Sequence, residues 1–460
     1  MAELQHWNRW CLTVSSKYKQ IIVLLIIIIL CASFLMYGCS PAQKTYPERR
    51  GDFWPSSICK NCHIDIFKQY SDSMHAKSFS NAVFQAQYFK ELIRHAAVDQ
   101  RLYKEAQACI SCHSPIAEMD IDSYIYSSEQ IDQVISGVTC DFCHTIWGHY
   151  GENPGNANYR AIPGTTKLGP FRHETSWHHV YSEFHIKSEF CALCHNRTNT
   201  LGLEIMSTFS EWKNSSFAED GIQCQDCHMN VMGFLNNGKP IYQSGKAAAM
   251  TVGVSPERDR LYTHRFPGAH SGTQVAGALT LEIDLDSSKI SVGDEMTIDV
   301  HVNNSRSGHK MPTGSTELRM LLLYVEARTD ETTFLLPADA AKAGVAYDIT
   351  GGGELDKKIL GQNIPEGIRV YRVIYIDKHG DQTLASYRAF RAIFDNRLDA
   401  SEIRNERYYF IVPEGASEIE IVASLYYVPY PSSFAKKLNL PEAKAIEIAY
   451  ARKVTRFTKK

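Results

Sequence analysis

The sequence predicts an α+β multidomain protein, in which a mostly helical and irregular domain is followed by an antiparallel, immunoglobulin-like β-sandwich. Five Cys-x-x-Cys-His motifs are concentrated between Cys59 and His228. Beyond about residue 275 these motifs stop, and alternating, strand-like runs begin. The predicted divisions are an export segment, a linker, the motif-bearing domain, and the β-sandwich with a short C-terminal helix, at residues 1–39, 40–54, 55–274 and 275–460.

The N-terminal segment contains an uncharged apolar run of 17 residues, Ile21–Tyr37, preceded by Lys17 and Lys19. Two interpretations remain open. A signal-anchor helix would lie at the short end of what spans a bilayer, with its positive flank inside. A lipoprotein signal peptide would instead be cleaved before Cys39, which would then carry the lipid. Both predict an exported, membrane-anchored protein that faces the periplasm or the cell exterior, and the proline-containing, charged residues after Cys39 are typical of a linker.

Ten of the 13 cysteines form five C-x-x-C pairs, and a histidine follows each pair. With 18 histidines in 460 residues, histidine would follow all five pairs by chance only about once in ten million sequences. The pattern therefore indicates one shared chemistry. The first to fifth motifs are Cys59, Cys62 and His63; Cys109, Cys112 and His113; Cys140, Cys143 and His144; Cys191, Cys194 and His195; and Cys224, Cys227 and His228.

Two thiols three residues apart can add to the two vinyl groups of one haem, and the histidine that follows can supply a nitrogen to its iron. A structural zinc site needs paired knuckles at one tetrahedral centre, and a thioredoxin-like pair occurs once, after a strand. Disulfides suit an exported chain. None of these three alternatives predicts a histidine after every pair, so the sequence predicts five covalently attached c-type haems.

The haem count has a consequence for the fold. Five sites between Cys59 and His228 leave about 35 residues for each haem, so the haems themselves are expected to form most of the core, held by short helices and loops. The formal net charge is −3, and no basic block points to nucleic acid.

The C-terminal part shows the strict alternation of apolar and polar residues that half-buried strands require. Gly, Asp and Asn residues separate the runs, as expected for the short turns of an antiparallel sandwich. A short helix is predicted at Pro441–Arg452. The predicted strands are Leu279–Leu285, Met296–Val302, Leu318–Ala327, Val370–Ile376, Tyr408–Val412 and Ile419–Tyr427.

Several short motifs resemble those of the bis-histidine multihaem cytochrome superfamily, the group that includes hydroxylamine oxidoreductase and octahaem tetrathionate reductase. The resemblance covers about residues 55 to 315. The matching stretches are Cys59–His63 with Ser73–His75, Gly137–Cys140, Ser188–Cys191, Glu211–Lys213 with Gly221–Met229, His264–Gly268 and Gly308–Gly314.

The resemblance implies which histidines bind the irons from the second side. In such relatives the distal ligands typically lie in the motifs that here contain His75, His185, His264, His270 and His309. The next candidates are His178, His179, His95, His173 and His149. His301 alternates with strand residues, and His379 lies in a Lys-His-Gly turn, so both are expected to be structural or solvated.

These features predict an electron carrier, because two imidazoles on every iron leave no open position for a substrate. Two alternatives remain: an oxidoreductase that acts on a small nitrogen or sulfur compound at one open iron, and a subunit of a cytochrome filament. The expected partners are the membrane, through the N-terminal helix or a lipid on Cys39, and other redox proteins. These proteins could include quinol-linked or outer-membrane cytochromes, and no nucleic acid is expected.

Overall fold

The computed structural model of the chain describes residues 53–121, 125–132, 135–172, 179–248, 255–286, 290–338, 350 and 364–457. The predicted export segment, with Cys39, lies outside the described residues. Within the ranges given, no helix is both long enough and apolar enough to cross a bilayer.

Short helices form most of the N-terminal part, up to about residue 275. The α-helices of the described chain are α1 Ser56–Cys59, α2 Ile64–Ser71, α3 Ala82–Gln85, α4 Ile93–Ala96, α5 Gln100–His113, α6 Pro115–Asp120, α7 Cys140–Thr145, α8 Ser188–His195, α9 Thr208–Lys213, α10 Ser216–Glu219, α11 Cys224–His228, α12 Gly272–Val275 and α13 Ser432–Leu438. A π-helix, Ala86–Leu92, joins α3 to α4. Three 3-10 turns occur in the described chain, at Ser128–Gln130, Glu183–Ile186 and Ser386–Arg388.

Side-chain caps explain where several of these helices begin. The Asn81 carboxamide oxygen accepts hydrogen bonds from two backbone N–H groups of α3, and the Asp99 carboxylate does the same for α5. The Thr139 hydroxyl accepts from the Phe142 N–H at the start of α7. Such caps satisfy N–H groups that have no partner inside the helix. They fix the starts of the helices that carry the second and third motifs.

Small β-structures lie in the described segments that follow the third, fourth and fifth motifs. Three antiparallel pairs and one parallel pair occur, β1 with β2, β5 with β6, β7 with β8, and β3 with β4. These strands are β1 Ile146–His149, β2 Tyr159–Ala161, β3 Lys167–Gly169, β4 His179–Tyr181, β5 Arg197–Thr198, β6 Glu204–Met206, β7 Gln243–Lys246 and β8 Glu257–Leu261.

The C-terminal part is built from antiparallel sheets, as predicted. One sheet has the order β17-β10-β9, a second has β12-β11-β18-β19 with β13 paired to β11, and a third has β15-β14-β16. The strands are β9 Thr280–Leu285, β10 Glu295–Asn303, β11 Met320–Arg328, β12 Thr333–Leu335, β13 Arg369–Tyr371, β14 Val373–Ile376, β15 Gln382–Thr383, β16 Arg391–Asp395, β17 Ile403–Ile411, β18 Glu418–Val428 and β19 Ile446–Arg456.

The first two sheets share one apolar core. Alternate residues of β10, such as Ile298 and Val300, are fully buried in the same cluster as Leu323 of β11 and Leu425 of β18. This period of two is the pattern of strands that present one face to a core. The prediction of antiparallel sheets in the C-terminal part is therefore confirmed, whereas the immunoglobulin-like sandwich stays a prediction.

The predicted C-terminal helix at Pro441–Arg452 is wrong. Residues Ile446–Arg456 form strand β19, which pairs with β18 from Glu418 to Tyr427. Pairing with a long buried neighbour satisfies the backbone of this segment and buries Ile448 in the two-sheet core, so tertiary pairing outweighs local helix propensity. The helix of this region lies earlier, at Ser432–Leu438.

The predicted strand Val370–Ile376 is divided into two. β13 pairs with β11 in the second sheet, whereas β14 pairs with β15 and β16 in the third. Arg372 lies between them and is buried. The third sheet packs against the N-terminal part, because Val373 and Tyr375 of β14 share a buried apolar cluster with Ile205 of β6.

The two parts of the sequence meet in a substantial contact. Tyr387 belongs to the same buried apolar cluster as Phe84 and Tyr88 of the N-terminal part. The guanidinium of Arg397 forms an ion pair with the Glu211 carboxylate at 2.7 Å, and both side chains are almost fully buried. Residues 50–460 accordingly form one compact unit.

Candidate functional site

The five motifs lie on helices or at helix ends. The second, third, fourth and fifth motifs fall within α5, α7, α8 and α11, and in α5, α8 and α11 the motif histidine is the last helical residue. The first motif begins at the end of α1 and ends just before α2. One helical turn brings the two cysteines of a motif to the same side. No disulfide joins any of the ten motif cysteines, which is a condition for covalent attachment of haem.

Backbone carbonyls fix the orientation of three motif histidines. The Nδ1 atoms of His63, His113 and His144 donate hydrogen bonds to the carbonyl oxygens of residues 247, 78 and 168, at 2.8, 2.9 and 2.6 Å. Because a carbonyl can only accept, each ring carries its proton on Nδ1 and presents the lone pair of Nε2. Burial lowers the pKa of His113 to about 4, which keeps that imidazole neutral. This is the state in which histidine binds a metal.

Three predicted distal histidines face motif histidines at nearly equal separations. The ring centres are 6.2 Å apart for His75 and His195, 6.3 Å for His144 and His264, and 6.4 Å for His228 and His309. Two imidazoles bound to one metal through bonds of about 2 Å have ring centres roughly 6 Å apart. The three pairs therefore have the spacing at which one iron fits between the two rings.

The distal rings are also oriented for binding through Nε2. The Nδ1 of His264 donates to the Tyr262 carbonyl at 3.1 Å, and the Nδ1 of His309 donates to the Lys310 carbonyl at 2.9 Å. Burial lowers the pKa of His75 and of His264 to about 3. Burial therefore keeps all three distal imidazoles neutral, and a neutral imidazole has a nitrogen lone pair with which it can bind a metal.

Cysteines of different motifs also contact one another. The thiols of Cys59 and Cys140 are within hydrogen-bonding reach, which joins the first motif to the third. Cys112 and Cys194 join the second motif to the fourth. Cys191 and Cys224 join the fourth to the fifth. The five sites are therefore packed against each other and not distributed over the surface.

Comparisons with known proteins agree with this geometry. Residues 58–145, which contain the first three motifs, match the family model described as cytochrome c554 and c-prime. The crystal structure of a penta-haem cytochrome c552 from Thermochromatium tepidum superposes with a TM-score of 0.58 at 20% identity, covering 87% of this chain and 98% of that chain. The fold is that of a multihaem c-type cytochrome.

Other comparisons add nothing to that assignment. A sporulation control protein from Bacillus subtilis aligns with 40% of this chain and 51% of its own chain at 10% identity, but the TM-score of 0.16 is too low to carry an argument. No curated protein matches the sequence.

His185 and His270 occupy different surroundings from the three distal candidates that face motif histidines. His185 lies 5.7 Å from His144 between ring centres, and its Nε2 donates to the Cys143 carbonyl at 3.1 Å. Its Nδ1 is buried and has no hydrogen-bond partner, so Nδ1 is the ring nitrogen that could bind a metal. His270 is exposed beside Gly268. For both residues the distal-ligand assignment stays a prediction.

The remaining candidate histidines differ in their surroundings. His179 donates from Nε2 to the Phe171 carbonyl at 2.6 Å, and His149 packs near Phe184. His95 and His379 are exposed. His301 lies 3.1 Å from the Asp284 carboxylate, in keeping with the structural role expected for it. His173 and His178 lie outside the described residues.

Two buried ion pairs support the motifs, and neither was foreseen from the sequence. Asp141, inside the third motif, forms a 2.6 Å ion pair with Lys167, and its second oxygen accepts from the Trp54 N–H at 2.9 Å. Arg197 pairs with the fully buried Glu105 and contacts the Cys109 thiol. These partners come from distant parts of the chain, and no local sequence signal marks them.

Proposed function

We propose that the chain is an electron carrier with five covalently attached haems, at least three of them bound by two histidines. The single observation that carries the proposal is the set of three histidine pairs with ring centres 6.2 to 6.4 Å apart. When bound, c-type haem supplies reversible one-electron transfer at its iron. Two neutral imidazoles per iron hold the coordination constant in both oxidation states, which favours transfer over substrate binding.

The roles of the residues follow from their positions. The ten motif cysteines would hold the porphyrins, and His63, His113, His144, His195 and His228 would bind the irons from one side. His264 would bind opposite His144, His75 opposite His195, and His309 opposite His228. His185 and His270 remain predicted distal ligands, and neither is assigned to a particular motif.

The thiol contacts supply an order for the relay. They join the first site to the third, and the second and fifth sites to the fourth. Cys143 of the third motif also lies close enough to Cys191 and Cys194 to raise the pKa of their thiols. The fourth motif therefore stands at a branch, with neighbours on three sides.

The finer statements about relatives and location belong to the same proposal. Membership of the group that includes hydroxylamine oxidoreductase and octahaem tetrathionate reductase rests on the short motifs, and immunoglobulin-like connectivity rests on the strand pattern. Export to the periplasm is proposed because c-type cytochromes are typically exported. A membrane anchor at the apolar run or at Cys39, and redox proteins as partners, complete the proposal.

Two measurements on the purified protein test it. Mass spectrometry combined with haem quantitation should give five covalently bound haems per chain. Low-temperature EPR of the oxidised protein should show predominantly low-spin iron, as two imidazole ligands require. Fewer than five haems would refute the relay, and a stoichiometric high-spin signal would favour an oxidoreductase with one open iron. Regular polymers in electron micrographs would favour the filament subunit.

A further inference from the structure

A small cavity lies where the second and third sheets meet. It is lined by residues that precede and begin β11 and by residues of β14 and β15, and its volume is about 20 Å³. A cavity of that size holds about one water molecule. Several of its side chains are polar, among them Glu317, Arg319, Arg372, Tyr375 and Gln382.

Glu317 has an unusual position for a carboxylate. The residue is only 7% exposed, and its Oε2 atom is buried without a hydrogen-bond partner. Across the cavity both amide atoms of Gln382 are also buried and unpaired. Buried polar groups in proteins are almost always paired, and unpaired ones call for a functional explanation. A water in the cavity, or a proton on Glu317, would pair these atoms.

The charges that face Glu317 come from several elements. Arg319, two residues along the chain, and Arg197, from the N-terminal part, both favour the ionised carboxylate. Arg372 lines the cavity, and the Tyr375 hydroxyl is held by the Thr316 hydroxyl at 2.8 Å. Burial raises the pKa of Tyr375 to about 12, so this group is neutral at physiological pH.

Burial outweighs the arginines at Glu317 itself. It raises the pKa of the Glu317 carboxyl to about 7, although Arg319 and Arg197 act in the opposite direction. The carboxyl is therefore balanced between its charged and neutral forms near neutral pH. A small change in the local potential would move a proton on or off it.

Arg319 connects this cavity to the histidine pairs. Its Nη1 donates to the Thr313 carbonyl at 2.5 Å, which holds the guanidinium over Gly314. Its positive charge reaches both His195 of the fourth motif and His309, opposite the fifth, and lowers the pKa of each. Glu317, His195 and His309 thus all lie within the range over which the charge of Arg319 acts, so an electron added near either histidine would act directly on Glu317 through the low-dielectric interior.

We propose that Glu317 is a redox-linked proton acceptor, which takes up one proton from solvent when the cytochrome accepts an electron from an external one-electron donor near His195 or His309. On reoxidation the carboxylic acid releases the proton and becomes a carboxylate again. The electron and the proton balance in charge, so the buried region stays close to neutral through the cycle. This inference rests on the proposed electron-carrier function.

Linkage gives the proposal a measurable form. If reduction favours protonation of Glu317, protonation must favour reduction to the same extent. The reduction potential of the coupled iron should then fall as the pH rises through the pKa of Glu317 and become flat well above it. Spectroelectrochemical titrations from about pH 5 to about pH 9 would show this dependence in the wild-type protein.

Two variants separate Glu317 from other titrating groups. In Glu317→Gln the component of the pH dependence centred near neutral pH should disappear, while haem content and low-spin EPR signals stay as in the wild type. Glu331→Gln is the matched control, because Glu331 is an exposed glutamate in the turn after β11. This control should retain the full dependence.

The possible results separate a failure of the role proposed for Glu317 from a failure of the proposed electron-carrier function. Potentials that do not depend on pH near neutrality in the wild type, or that depend on it equally in Glu317→Gln, overturn the role of Glu317 and leave the electron carrier intact. Loss of reversible reduction in the wild type overturns the carrier itself.

If Glu317→Gln does not incorporate haem, a second measurement still tests the role of Glu317. Infrared redox difference spectra of the wild type should contain the C=O band of a buried carboxylic acid that forms on reduction near pH 7. Glu317→Asp keeps the carboxyl and should shift this band. No band in the wild type, or a band that is unchanged in Glu317→Asp, contradicts the proposal.

Discussion

At the scale of single residues, a backbone carbonyl decides which nitrogen several histidines present. His63, His113 and His144 each donate from Nδ1 to a main-chain oxygen, and so do His264 and His309. The hydrogen bond fixes the tautomer before any metal arrives, and it makes the opposite nitrogen more basic. Ligand geometry in this protein is thus set by the backbone as much as by the histidines.

His309 is the proposed ligand whose removal tests the link between the β-rich part and the fifth motif. Its ring lies 6.4 Å from that of His228, with the planes only 9° apart. In His309→Ala we expect about one fifth of the iron to change from low to high spin, because one imidazole of a pair is lost. Low-temperature EPR would measure the change. His379→Ala, in an exposed turn, should leave the spectrum as it is, and an unchanged spectrum in His309→Ala would refute the assignment.

Asp395 gives a prediction about pH and stability. Burial alone would raise the pKa of this carboxyl, but hydrogen bonds from Arg397, both at 3.0 Å, outweigh it and lower the pKa. Its unfolded pKa is about 3.9. Because the folded value is lower, the ionised group stabilises the fold above about pH 4, and the contribution is lost as the pH falls through the folded value.

We therefore expect Asp395→Asn to reduce the free energy of unfolding by about 1 kcal/mol at pH 7. The estimate is modest because the Asp395 side chain is 33% exposed and Arg397 retains Glu211. Denaturant titrations followed by circular dichroism at pH 7 and at about pH 3 would show the difference shrinking in acid. Asp330→Asn, an exposed position, serves as the control. A difference that grows in acid would contradict the argument.

The sequence was informative about residues that act through local spacing. The motif cysteines and histidines follow from the repeated pattern, and the resemblance led to His75, His264 and His309, which the structure places opposite motif histidines. The carbonyl that orients His63 lies 184 residues away. Such partners depend on the tertiary fold and have no signature in a single sequence.

At the scale of elements, strands with a clear period of two were predictable, and the last element was not. β10 and β18 coincide closely with the predicted runs because one face of each is buried in the same core. The segment that forms β19 contains alanine, glutamate and lysine, which favour helices when no partner is present. Its pairing with β18 decides the outcome, and pairing between distant segments is not visible in local composition.

Ile448 tests this strand assignment. The side chain is 3% exposed and packs in the two-sheet core, whereas Val454 of the same strand is 44% exposed. We expect Ile448→Ala to lower the free energy of unfolding by about 2–4 kcal/mol through lost burial and the cavity left behind. Val454→Ala, the matched aliphatic control, should cost well under about 1 kcal/mol. Equal effects in chemical denaturation would contradict the predicted burial pattern.

At the scale of the whole molecule, the β-rich part packs closely against the motif-bearing part. His309 comes from the loop between β10 and β11, and Arg397 and Tyr387 anchor the same region to the motif-bearing part through Glu211 and an apolar cluster. Removing one partner of a buried ion pair is costly because the other charge stays buried. The two parts predicted from composition are therefore structurally dependent on each other.

In the proposed relay, the contacts among the motifs imply a branched route for electrons, with the fourth motif at the branch. Its thiols contact those of the second and fifth motifs, and the third motif is close by. The fourth motif should therefore be required for electrons to pass between the first and third sites and the fifth. The second motif should not be required, because it lies on a side branch.

Two double variants test this order. Cys191→Ser with Cys194→Ser removes the fourth attachment site, and Cys109→Ser with Cys112→Ser removes the second. Each should retain four haems by mass spectrometry. When the reduced proteins are mixed with a one-electron oxidant, the variant without the fourth site should show a slow fraction, because its first and third sites no longer exchange electrons with the second and the fifth. The variant without the second site should reoxidise like the wild type. Identical kinetics in the two variants would exclude the branched order, since the two losses are alike in haem number and differ only in position.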